Sequence, residues 1–86
     1  MITMSKSTKI SIENRDKYIA IGLNIAYYRK REGMTQEQLA ERANMSRNFL
    51  SMIEAPNLVT NLSLEALFNI AAALNIEPYK LLEFRD

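Results

Sequence analysis

Apolar residues along most of this chain recur three and four positions apart, the spacing of a helix with one buried face. Tyr18, Ile21, Ile25 and Tyr28 predict a first long helix from about Asn14 to Glu32, closed by Gly33 as its C-cap. Leu39, Ala40 and Ala43 predict a short second helix over about 35–42. Thr35 is its N-cap, Gln38 sits at the capping-box position, and Asn44 can enter the left-handed conformation to end it. Ser46 caps a third helix, about 46–54, whose Leu50 and Ile53 share a face and which Pro56 stops. After a loop over 57–62, Ser63 caps a fourth helix with Leu64, Leu67, Ile70, Ala71 and Leu74 inward and Asn75 at its end. Pro78 suits the first turn of a short fifth helix carrying Leu81 and Leu82. Ile10 and Ile12 alternate with polar residues and allow a short extended segment in an otherwise polar stretch.

This pattern describes an all-α protein of five helices around one core, with residues 1–13 a flexible N-terminal arm and 14–86 one folded domain. A second apolar line on helix one, Ile19, Leu23 and Tyr27, lies off the core stripe; either the arm or a second subunit would cover it.

Composition narrows the function. With 48% hydrophobic residues and only two glycines and two prolines in 86 residues, the chain is a folded, mostly helical protein. It has no cysteine and no histidine, which removes disulfides, thiolate chemistry and imidazole catalysis. No Asp/Glu pair stands in a recognisable catalytic motif, so no enzyme, no metal site and no cofactor are expected. No apolar run approaches the ~18 residues of a membrane span, and the first residues lack a signal-peptide core, so a cytoplasmic protein is expected. Net charge is only +1, but residues 1–31 carry seven Lys/Arg against two acidic residues, whereas the later stretches are mildly acidic. That asymmetry could orient the molecule on a polyanion, or simply be a solvated surface of mixed sign.

Two short helices joined by a tight turn, with Arg47, Asn48, Ser51 and Met52 facing outward from the second, form a helix-turn-helix able to lay that second helix in the DNA major groove. Arg can bond guanine bidentately and Asn adenine, while Met52 can meet a thymine methyl. Over about Ile21 to Leu82 the chain resembles the Cro-type phage-repressor helix-turn-helix family, the XRE-like transcriptional regulators. IGLNIAYYRKREGMTQEQLAERANMSRNFLSMIE is similar to its first three helices and LSLEALFNIAAALNIEPYKLL to its last two. Gln36 follows the cap, Ala40 stands where helices two and three cross, and Ser51–Met52–Ile53–Glu54 matches the family's Ser-x-Ile-Glu ending. The loop APNLVTNL departs from the family pattern: its proline is early, it has no glycine, and it is about two residues longer.

The resemblance implies a five-helix lambda-repressor-like domain, acting as a sequence-specific double-stranded-DNA-binding transcriptional regulator and homodimer. It implies base contacts from Arg47, Asn48, Ser51 and Met52, and backbone contacts from Thr35, Gln36, Arg42 and Ser46. It also implies a structural ion pair between Arg29 and Glu54. Loop residues Asn57, Thr60 and Asn61 could meet phosphates, and Leu58 and Val59 are expected to pack under the loop. For the dimer contact, family practice favours the carboxyl-terminal edge, with Tyr79 and Phe84 joined by Leu58; helix one is the competing choice. The expected partners are an operator duplex and a second copy, with no membrane and no evident small-molecule effector. The alternative is a protein-interaction module, such as an antitoxin-like partner, that keeps the fold with weak or no DNA binding.

Overall fold

The computed structural model describes residues 10–84. It contains α1 (Ile12–Arg31), α2 (Gln36–Arg42), α3 (Arg47–Glu54), α4 (Leu64–Leu74) and a 3-10 segment (Pro78–Leu82), with no strand among the described residues. The fold is therefore four α-helices and not the five expected. Pro78 starts the last element, and Lys80 N–H donates three residues back to Glu77 O at 3.0 Å, the bond of the tighter 3-10 turn. Most of the expected arm, residues 1–9, lies outside the described residues. The rest of it differs from expectation: Ile12 opens α1 and is 84% exposed, so no extended segment includes it.

Local chemistry fixes the helix ends. Thr35 and Gln38 form a reciprocal capping box, while Ser46 and Ser63 each accept the N–H three residues on. Three helices close through the same turn, with Gly33, Asn44 and Asn75 at φ 73°, 58° and 59°. In each, the next residue's N–H reaches back five residues: Met34 to Arg29 O, Met45 to Ala40 O and Ile76 to Ala71 O, at 2.9–3.0 Å. This double-bonded left-handed ending satisfies carbonyls that the helix leaves unpaired.

The core gathers Ile25 and Tyr28 of α1, Leu39 and Ala40 of α2, Leu50 and Ile53 of α3, four residues of α4, and Leu81. Tyr18 and Ile21, expected on the core stripe, are only half-buried. Leu64 and Leu82, expected inward, are 66% and 44% exposed. Leu64 is the first residue of α4, and Leu82 lies about 120° around the 3-10 turn from the buried Leu81. Leu58, expected under the loop, is exposed as well, whereas Val59 is half-buried. No helix of the described residues is long and apolar enough to cross a membrane.

Candidate nucleic-acid interface

α2 and α3 meet across the four-residue turn from Ala43 to Ser46, whose bend depends on Asn44 in the left-handed region. The buried edge of α3 is Leu50, Ile53 and Glu54. Arg47, Asn48 and Met52 are exposed and Ser51 is half-buried. No acidic residue lies in the first turn of α3, so the helix presents a cation and neutral donors at the end that leads outward. Asn48 Nδ2 lies 3.9 Å from Met52 Sδ, placing these two side chains one turn apart on the same face.

Glu54 ties this helix to the rest of the fold. Its side chain is only 4% exposed and accepts three hydrogen bonds. Arg29 Nε reaches Oε2 at 2.9 Å and Nη2 reaches Oε1 at 3.0 Å, a two-bond fork between planar groups. Gln36 Nε2 also donates to Oε1, at 2.9 Å, and Arg29 Nη1 donates to Met34 O at 2.7 Å. One carboxylate thus joins α1, the start of α2 and the end of α3, and no buried side-chain polar atom among the described residues is left without a partner. Burying this charge is tolerable only because all of its contacts are made.

The family resemblance implied a DNA-backbone contact for Gln36 but not its bond to Glu54. Its Nε2 retains a second hydrogen, so the two contacts are compatible. Thr35 and Ser46 are engaged as caps through their hydroxyl oxygens. Arg42 is exposed, its Nη1 3.7 Å from Met34 Sδ. Thr60, a candidate phosphate contact, instead donates its hydroxyl to Met52 O at 3.0 Å, pinning the long loop to the end of α3. Between α1 and the end of α3 runs a groove of about 390 Å³, lined among others by Leu23, Lys30, Gln36, Ser51 and Pro56. Among the described residues no Asp/Glu group could hold a metal ion.

Two residues that position this surface escaped the sequence reading. Gly22 packs directly on α3: a Cβ there would lie 3.0 Å from the Ile53 carbonyl carbon and nearer still to its oxygen. A lone glycine inside a periodic helix was the available signal. Asn24 donates to Leu81 O at 3.1 Å and Glu83 O at 3.0 Å, fastening the carboxyl-terminal segment to α1. No spacing rule links residues so distant in sequence. At the edges, Tyr79, Phe84, Leu58, Leu23 and Tyr27 are all 42–58% exposed, which leaves several apolar surfaces open.

A family model described as helix-turn-helix matches residues 25–81. Among curated proteins, the transcriptional regulator SinR of Bacillus licheniformis is 39% identical over 66 residues, covering 77% of this chain and 59% of SinR. The immunity repressor protein of Bacillus phage phi105 is 42% identical over 59 residues, covering 69% of this chain and 40% of the repressor. The chain thus spans 59% or less of the length of these two relatives. Among solved structures, SinR in complex with DNA superimposes with a TM-score of 0.68 at 40% identity, covering 73% of this chain and 98% of that one. The restriction-modification controller protein C.AhdI from Aeromonas hydrophila gives 0.71 at 29% identity, covering 77% and 97%.

Proposed function

The chain belongs to the helix-turn-helix family matched over residues 25–81, and from that membership we propose that it is a sequence-specific, double-stranded-DNA-binding transcriptional regulator acting as a homodimer. The observation that carries the reading is the exposed Arg47–Asn48–Met52 face of α3, held at a fixed angle by the buried Glu54 hub. α3 enters the major groove, where Arg47 and Asn48 read base edges, Ser51 allows close approach and Met52 meets a thymine methyl. Thr35, Gln36, Arg42 and Ser46 hold the flanking phosphates, and the free hydrogen on Gln36 Nε2 suits a phosphate oxygen.

Eight residues of α3 span only a few base pairs, so discrimination needs two half-sites about one helical turn apart. The dimer contact is assigned to Tyr79 and Phe84 with Leu58, all of which are exposed. The DNA-bound SinR structure supports the duplex as ligand. Selection of bound oligonucleotides from a random pool tests the proposal: a recovered pseudo-palindrome bound with a steep salt dependence is expected.

The protein-interaction alternative draws on the net charge of only +1 and on a solved complex of SinR with SinI. Association with a protein partner that is insensitive to salt, together with no recovered DNA motif, would favour it.

A further inference from the structure

α1 is 20 residues long, and its first thirteen precede the stretch the family model matches. Residues 12–17 are all exposed, and Ser11 makes no side-chain cap bond, so the first turns of α1 gain little from this domain's core. Short helical turns are marginal in water without packing. Yet this helix carries an ordered second stripe. At 3.6 residues per turn, Ile12, Asp16, Ile19, Tyr27 and Lys30 all lie within about 40° of the direction of Leu23.

The stripe is symmetric about Leu23. Ile19 and Tyr27 each stand four residues away, and Asp16 and Lys30 each stand seven away, one acidic and one basic. Leu23 and Tyr27 are 47% and 51% exposed, Asp16 and Lys30 are exposed, and neither charge is paired among the described residues. Laid antiparallel on itself across a two-fold axis at Leu23, the stripe sets Ile19 against Tyr27 and Asp16 against Lys30, each twice. A two-fold contact requires one patch to complement itself, and this patch does.

We propose that a second copy of this chain docks on the exposed face of α1, as an antiparallel helix pair centred on Leu23. This contact is separate from the one assigned to Tyr79 and Phe84, because Asn24, about 100° around the helix from Leu23, is the residue that faces the carboxyl-terminal segment. Two different two-fold contacts on one chain build tetramers from dimers. The proposal does not depend on DNA binding. With few large apolar side chains per copy, the pair is a weak, concentration-dependent contact.

The chain has no cysteine, so a single introduced one is a clean probe. Leu23→Cys treated with a short bismaleimide should cross-link into dimers much faster than a Glu65→Cys control on α4. In sedimentation equilibrium without DNA, Leu23→Glu, Asp16→Lys and Lys30→Asp should each weaken association roughly tenfold or more, because each sets like charges together. The double swap Asp16→Lys/Lys30→Asp restores opposite pairing and should recover most of that loss. All of these positions are exposed, and melting curves verify that each variant folds. Equal cross-linking of the two cysteine variants, or a double swap no stronger than its single changes, overturns the proposal. Both readouts report on α1 itself, so they stand whether or not the contact assigned to Tyr79 and Phe84 forms.

Discussion

Replacing Gly22 by alanine should weaken this protein markedly, against the usual rule for helices. Inside an exposed helix, glycine to alanine stabilises by up to ~1 kcal/mol, since alanine loses less backbone freedom on folding. Here the added methyl would lie 3.0 Å from the Ile53 carbonyl carbon and closer still to its oxygen. A carbon approaches a carbonyl oxygen no nearer than ~3.3 Å without strain, so α1 and α3 must part by on the order of 1 Å. The obstacle is backbone and cannot rotate away, which puts the overpacking cost at the upper part of its usual range, ~2–3 kcal/mol. The same displacement stretches the 2.9 Å and 3.0 Å bonds from Arg29 to Glu54, seven residues along α1, adding about 1–2 kcal/mol. Net of the propensity gain, the loss is roughly 2–4 kcal/mol out of a total of ~5–15, or a fall in Tm of about 10–25 °C for a domain of this size. Thermal unfolding followed by circular dichroism reads this directly. Gly33→Ala is the contrasting case: nothing lies within 4 Å of its added Cβ, and only the positive φ of 73° opposes it, costing ~1–2 kcal/mol. A Gly22→Ala protein that melts at or above the parent temperature would refute the close-crossing argument.

Other changes probe the remaining joints. Arg29→Ala and Glu54→Ala each strand a buried charge and should cost about 3–5 kcal/mol, with strong coupling in a double-mutant cycle; additive losses would remove the pair as a unit. Arg47→Ala should cost on the order of 1–3 kcal/mol in duplex affinity and relax preference at one base position, while Gln36→Ala weakens all duplexes about equally. Titrations on selected and random duplexes separate these, and a uniform loss for Arg47→Ala would deny it base reading. For assembly, Phe84→Glu should leave a folded protein with a weakened carboxyl-terminal dimer contact; unchanged sedimentation would move that contact elsewhere. Asn24→Ala releases Leu81 O and Glu83 O and should speed hydrogen exchange in the last segment before it lowers global stability much.

What the sequence determined by itself is the set of rules that act within one helical turn. Caps at Thr35, Ser46 and Ser63 and endings at Gly33, Asn44 and Asn75 are bonds between residues three to five apart, so their residue types were legible without any distant neighbour. Three-and-four spacing likewise located four helices to within a few residues. Periodicity, however, names a face and not what covers it. Leu64, Leu82 and Leu58 fit an apolar pattern yet are exposed, because burial belongs to the partner surface and not to the residue. Tertiary structure alone decided that Gly22 must be small, since its obstacle is a carbonyl 31 residues away in sequence. Family resemblance pointed to the pairing of Arg29 with Glu54, but only the packed fold brings Gln36 to the same carboxylate. Three side chains from three helices converge there because a buried charge must find every one of its hydrogen bonds within the protein, and those donors lie wherever the chain crosses itself.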